Sequence, residues 1–133
     1  KNKKFLFKNY QKGFDGVLVD APCSGIGTWR RNPDARWRLA ESDINKYSEI
    51  QFKLLADLSL LVKEGGTLIF AVCTLTKAET YDCIKRFLNE FDMFKLVAFF
   101  NPINGKKTSG TLEIWPQKFN CDGMFVAKMK RLK

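Results

Sequence analysis

The stretch Val17-Leu18-Val19-Asp20-Ala21-Pro22-Cys23-Ser24-Gly25 decides how this chain is read. A run of aliphatic residues closing on an acid, a proline and a cysteine is the pattern of a buried strand, here Phe14 to Asp20, that delivers reactive groups to its carboxyl edge. Open α/β sheets keep their chemistry at that edge. Further along, Gly65-Gly66 precedes Thr67-Leu68-Ile69-Phe70-Ala71-Val72, and a second thiol, Cys73, follows directly. The near-continuous apolar character of Thr67 to Cys73 predicts a strand covered on both faces in a parallel sheet. Two strands thus each end in a cysteine.

Helical patterns alternate with them. A helix capped near Ser42 or Asp43 should run to about Lys63, because Ile44, Tyr47, Leu54, Leu55, Leu58, Leu61 and Val62 share a 3.6-residue face, and Gly65 should stop it. Thr76-Lys77-Ala78-Glu79 has the form of a capping box, opening a helix with Tyr81, Ile84, Leu88 and Phe91 as its buried stripe. That reading gives Glu79 a structural role. Lys95 to Phe99 reads as a third strand and Met124 to Met129 as a fourth. Between them, Asn101 to Lys118 is rich in Gly, Lys and Thr and reads as an irregular, mobile stretch. Cys23 to Leu39 has the Gly, Pro and Arg content of a long functional loop.

Length and composition set bounds. With 133 residues and 45% hydrophobic content, the chain is the size of one domain and can bury about two thirds of its unfolded surface. Its longest apolar runs are strand-length and interrupted by charge or glycine, so neither a signal peptide nor a membrane span is expected, and the reading is cytoplasmic. The four cysteines, Cys23, Cys73, Cys83 and Cys121, form no C-x-x-C pair, and the chain has no histidine. No metal site and no disulfide framework is expected. Any catalysis by this chain must use thiols, carboxylates, lysines or hydroxyls rather than imidazole.

Net charge is +9. Lys1, Lys3, Lys4, Lys8 and Lys12 crowd one end and Lys128, Lys130, Arg131 and Lys133 the other, as solvated tails would. Between them lies Trp29-Arg30-Arg31-Asn32-Pro33-Asp34-Ala35-Arg36-Trp37-Arg38. Basic groups interleaved with aromatics can hold phosphates while stacking bases, as single-stranded or loop RNA requires. Arg30, Arg31, Arg36, Trp37 and Arg38 are therefore candidate RNA-binding residues. A packed loop with its tryptophans partly in the core is the competing explanation.

Taken in order, Asp20-Ala21-Pro22-Cys23-Ser24-Gly25 with Gly27-Thr28, then Arg31-Asn32-Pro33-Asp34 and Trp37, Gly65-Gly66-Thr67-Leu68 ending at Cys73, and Asp122-Gly123-Met124-Phe125-Val126-Ala127-Lys128 resemble the RNA cytosine-5 methyltransferases of the Sun/Fmu class. The resemblance implies a Rossmann-like α/β fold using S-adenosylmethionine and a two-thiol mechanism on RNA, with ribosomal RNA favoured. It makes Cys73 the nucleophile, Cys23 the residue that assists release of the methylated product, and Asp20 the acid beside the cofactor's methionine end. By analogy of position with DNA cytosine-5 methyltransferases, Cys23 could instead be argued as nucleophile. Departures bear on details of substrate contact and not on the class: Thr74 replaces the usual serine and keeps a hydroxyl, Ala78-Glu79-Thr80 replaces Glu-Glu-Asn and so lacks one carboxylate and one amide, the stretch before Trp115-Pro116 lacks the common arginine, and Gln117-Lys118 replaces a His-rich neighbourhood.

The family's Gly-rich cofactor loop and the acidic strand end for the ribose are not found before Asp20. The chain is accordingly expected to be the carboxyl-terminal portion of one methyltransferase catalytic domain, holding the later half of the sheet. Alone, it is expected to bind S-adenosylmethionine weakly and to be inactive, with an unpaired sheet edge inviting self-association. The rival reading is a non-catalytic basic α/β module that binds RNA or a partner. Against it stand Gly25 and Gly27, which suggest close backbone approach to a ligand.

Overall fold

The computed structural model describes residues 13–132; Lys1, Lys3, Lys4, Lys8, Lys12 and Lys133 lie outside the described residues. The first strand, β1 (Phe14–Asp20), pairs in parallel with β2 (Val62–Val72), aligning Val17 with Leu68 and Asp20 with Ala71. Between them run a short helix, α1 (Ala35–Arg38), and a long one, α2 (Glu41–Ser59). Then follow α3 (Tyr81–Glu90), β3 (Phe94–Leu96), β4 (Thr111–Ile114), α4 (Pro116–Phe119) and β5 (Met124–Arg131). Strand order is β1-β2-β5-β3, and β4 also lies against β5. β5 runs antiparallel to β2, while β3 and β4 share its other edge, β3 along Met129 to Arg131 and β4 along Met124 to Ala127.

The sheet is thus mixed, parallel only at β1–β2, and it is not covered equally on its two faces. Leu68, Phe70 and Val72 of β2 and Phe125, Ala127 and Met129 of β5 point into a core closed by Leu55 of α2 and by Cys83, Ile84 and Phe87 of α3. Aromatic contacts fill it: Phe70 meets Phe125 edge-on at 6.4 Å, and Phe87 stacks on Phe91 at 4.7 Å. On the opposite face Ile69, Ala71 and Val126 are only half-buried, and Leu18 is 63% exposed. Coverage on both faces, expected from the apolar run of β2, is not what the described residues show. Among them, no helix is long and apolar enough to cross a membrane.

Several boundaries differ from expectation for identifiable reasons. The long helix begins at Glu41, and Asp43 caps backwards by accepting the Ala40 N–H at 3.0 Å. It ends at Ser59 rather than near Lys63, because Val62 is already recruited to the sheet opposite Phe14. Gly65 stops no helix. Its φ of 72° places it in the left-handed region within β2, where the ladder steps from Phe14–Val62 to Gly16–Thr67 across a bulge. The third predicted strand is shortened to Phe94–Leu96. The stretch from Asn101 to Lys118, expected to be irregular, contains strand β4, held by Leu112 opposite Val126 and Ile114 opposite Met124.

In α3 the buried stripe is Cys83, Ile84 and Phe87, with Leu88 half-buried, Tyr81 exposed at its start and Phe91, just past its end, half-buried. Phe87 is fully buried and packs on both Phe91 and Phe94. Phe87→Ala is expected to lower the free energy of unfolding by about 3–5 kcal/mol, measured as a fall in the denaturant midpoint with an unchanged slope.

Candidate active site

Parallel strands leave a sheet at the same edge, so the segments after Asp20 and after Val72 emerge together. The Ala21 N–H still donates to Ala71 O at 3.1 Å, carrying the pairing one residue past β1. Two residues later the Cys23 Sγ lies 3.3 Å from the Cys73 Sγ. The two thiols singled out in sequence are therefore in contact, both half-buried.

The glycine after the proline-cysteine loop explains how the backbone comes so close. Gly27 donates its N–H to Cys73 O at 3.0 Å, and its own carbonyl accepts the Gly123 N–H at 2.8 Å. A Cβ on Gly27 would lie 2.0 Å from Gly123 O and 2.9 Å from Cys73 O. This corrects the expectation that Gly27 leaves room for a ligand: the space is taken by protein backbone. Gly25, with φ 70°, serves the turn into the 3₁₀ segment Ile26–Thr28.

A buried polar cluster anchors the loop from behind. Glu79 is fully buried. One carboxylate oxygen, Oε1, accepts the Ser24 N–H at 2.8 Å and the Gln51 Nε2 at 3.0 Å. The other, Oε2, is within hydrogen-bond reach of the hydroxyls of Ser24 (2.6 Å), Thr76 (2.7 Å) and Thr74 (3.0 Å). Gln51, also fully buried, donates in addition to Pro22 O at 3.0 Å. Glu79 is structural, but not as the capping box predicted: α3 begins only at Tyr81 with Thr80 at its cap, and Glu79, two residues before it, reaches instead to the cysteine loop and α2. Gln51 was not singled out in sequence, and Ser24 and Thr74 stood there as members of the motifs, not as partners of Glu79. Gln51 could have been noticed as a polar residue one turn before Leu55 on the apolar face of α2.

The two thiols share a proton unequally. A hydrogen bond from Cys23 holds the Cys73 thiol down at about 7, against burial, which raises it, and against the carboxylates of Asp20 and Asp122, which also raise it. Donating that proton, together with burial, pushes Cys23 well above the ordinary thiol range. Of the two, Cys73 is the thiol whose ionisation is favoured. Cys83 lies in the core, where burial pushes it up to about 12. Cys121 is half-buried beside the β5 turn.

Asp20 is exposed at the end of β1, close enough to act on Cys73 through its charge. Among the described residues its carboxylate has no hydrogen-bond or ion-pair partner. The arginine-tryptophan segment folds over the neighbouring surface. Arg30 donates to Asn120 Oδ1 at 2.8 Å, and Arg31 clasps Asp122 through Nε at 2.9 Å and a shorter ion pair. Arg38 pairs with Asp34 on the same turn. Arg31 and Arg38, both candidates for RNA binding, thus each hold a carboxylate of this chain while staying largely exposed. Arg36 stands between the rings of Trp29 and Trp37, 5.8 and 5.9 Å from their centres, and Trp37 is 84% exposed. A recess of about 220 Å³ opens beside Ser24, bounded by Arg38, Leu39, Asp43 and Tyr47. A larger cavity of about 530 Å³ lies between α3 and the β3–β4 edge and is lined by no thiol.

Comparison with known proteins is consistent with this arrangement. The model of the family described as 16S rRNA methyltransferase RsmB/F matches residues 2–130. A probable ribosomal RNA small subunit methyltransferase B from Synechocystis is 40% identical over 88% of this chain, which corresponds to 27% of that protein. The solved structure of PH0851 superposes with a TM-score of 0.82 at 40% identity, covering 88% of this chain and 26% of its own. The fold also matches NSun6 from Pyrococcus horikoshii, solved with SFG, at a TM-score of 0.77 and 22% identity, covering all of this chain and 34% of that one. The chain spans about a quarter of the length of the curated relatives it matches.

A lowered pKa leaves more thiolate at a given pH, so alkylation of Cys73 by iodoacetamide should rise through a midpoint near about 7, while Cys83, pushed up to about 12, stays unreactive at neutral pH. Cys23→Ala removes the donor and should move the Cys73 midpoint upward; mass mapping of labelled peptides reads both. Gly27→Ala places a Cβ against Gly123 O and should cost several kcal/mol, on the order of 3, visible as a lower melting temperature and slower Cys73 labelling at pH 7.

Proposed function

The chain belongs to the RsmB/F family of 16S rRNA methyltransferases, and on that premise we propose that it carries the two-thiol centre of an S-adenosylmethionine-dependent RNA cytosine-5 methyltransferase. The observation that carries this reading is the 3.3 Å contact between Cys23 and Cys73. A basic module that merely held RNA would have no use for two thiols arranged so that one ionises near neutrality.

Carbon 5 of cytosine is a weak nucleophile. Addition of the Cys73 thiolate to carbon 6 drives electron density to carbon 5, which can then take a methyl group. S-adenosylmethionine supplies that group as an electrophilic methyl on sulfonium. Water then takes the carbon 5 proton, the C–H electron pair re-forms the 5,6 double bond, and the carbon 6–sulfur pair returns to Cys73 as thiolate. Cys23, which keeps its proton while Cys73 is ionised, lies where it can assist that release. Asp20 would hold the cationic ammonium of the cofactor's methionine end. The chain spans about a quarter of the length of its curated relatives, and the Gly-rich wall of the cofactor pocket would lie in the part of such a protein that it does not match. Alone, the chain would bind the cofactor weakly.

The target base must leave its stack to reach the thiols. Arg36 and the exposed ring of Trp37 offer a cationic and a stacking surface for flanking nucleotides, and Arg30 adds charge at the rim. We take the substrate to be ribosomal RNA and the compartment to be the reducing cytoplasm, which suits cysteines kept as free thiols.

In the full-length protein, Cys73→Ala should abolish both the covalent RNA adduct and methyl transfer, lowering the rate by about 10⁴-fold or more. Cys23→Ala should instead trap a slower-migrating protein–RNA complex on a denaturing gel. Residual activity in the first variant would move the nucleophile elsewhere, and absence of a trapped complex in the second would remove Cys23 from product release.

A further inference from the structure

Ser24 follows Cys23 and Thr74 follows Cys73, and the same carboxylate group holds both. We propose that Glu79 is a positioning residue: by binding the residues next to each cysteine from inside the protein, its buried carboxylate sets the distance between the two thiols. The inference rests on reading Cys23 and Cys73 as a working pair.

Closing the start of α3 does not require this residue. Helix starts are satisfied by short Ser, Thr, Asp or Asn side chains at the surface, without burying a charge. Glu79 is fully buried, where a carboxylate costs several kcal/mol unless its lone pairs are met. Its partners come from three segments: Ser24 in the cysteine loop, Gln51 on α2, and Thr74 and Thr76 after β2. Gln51 fixes the loop a second time through Pro22 O. Both acceptors facing its amide nitrogen are oxygens, so the amide cannot flip without repulsion, even though this leaves its own buried Oε1 without a partner among the described residues. Ser24 and Thr74 also contact each other through their hydroxyls at 2.8 Å. The cluster is a cross-brace: release the carboxylate, and the cysteine loop keeps its backbone contacts through Ala21 and Gly27, the Gln51–Pro22 bond and the Ser24–Thr74 contact, but loses the one group that ties these segments together.

The test is capture of phenylarsine oxide by the full-length protein, because this reagent closes a ring only on two thiols held together, releasing one water. Wild type should bind one equivalent tightly, and Cys23→Ala, the one-thiol control, weakly. Glu79→Ala should weaken capture by about tenfold or more, the loss expected when two groups are no longer held in register. Glu79→Gln should recover most of it, since its carbonyl oxygen can still accept from Ser24 and Gln51 while hydroxyls can turn to accept from its amide. Phe87→Leu, packed on Phe91 and Phe94 instead of the cysteine loop, serves as a variant of reduced melting temperature that should capture as wild type does.

Unchanged capture in folded Glu79→Ala, or equal loss in Phe87→Leu, overturns the proposal. Should Glu79→Ala fail to fold, Ser24→Ala combined with Thr74→Val removes the two hydroxyl braces beside the cysteines while keeping the Ser24 N–H bond; it must weaken capture, and unchanged capture overturns the proposal. The readout involves no methyl transfer, so its failure is separable from failure of the proposed activity. A wild-type protein that captures no arsenical would remove the thiol pair itself, and the positioning role with it.

Discussion

Parallel pairing of β1 with β2, in the register that sets Asp20 opposite Ala71, is the constraint on which the site depends. Both chains leave the sheet in the same direction, so Cys23 and Cys73 arrive at one edge although 50 residues separate them. Antiparallel pairing would have sent them to opposite ends of strands about 20 Å long. The covalent connection between the strands is occupied by α1 and α2, which also supply the buried glutamine and the recess beside Ser24. Fold and site are in this sense one arrangement.

Interior and surface contacts differ in how much they contribute to holding that edge. The Arg31–Asp122 pair lies on an exposed arginine, where solvent screens the attraction and little net stability results. The Glu79 cluster and the Gly27–Gly123 backbone contact are inside, where an unmatched polar group or a misplaced methyl costs several times more. Thiol geometry is therefore governed from within. The arginine clasps tie the basic loop to the turn before β5, at the cost of neutralising part of the charge that the sequence displays.

How much of this was legible in the chain varied with the range of the interaction. β1 was legible to the residue, because its aliphatic run is bounded by Gly13 and by Ala21-Pro22. The start of β2 was not, since Gly65-Gly66 looks the same in sequence whether it ends a helix or forms a bulge, and only the burial of Val62 decides. β4 was hidden because four residues with a glutamate among them carry too weak a pattern. The two cysteines were visible, but their contact was not. Charges proved least legible: the partner of Arg31 lies 91 positions away, and nothing local announces it. Glu79 was seen as a residue with a structural role, yet its reach to Ser24 depends on α2, α3 and the cysteine loop meeting in three dimensions.

The strand that comes last in sequence, β5, lies in the middle of the sheet, with β2 on one side and β3 and β4 on the other. Pairings such as Phe70 with Ala127 join residues made far apart in time during synthesis. Until β5 has left the ribosome, β3 and β4 have no strand to pair with, and Gly123 is not yet there to receive Gly27. Such non-local closure is slow, and it leaves apolar strand edges exposed while it is awaited. The growing chain thus passes through a period in which both cysteines exist but their loop is unlocked, making reactive-thiol protection a concern for translation and chaperones as well as for catalysis.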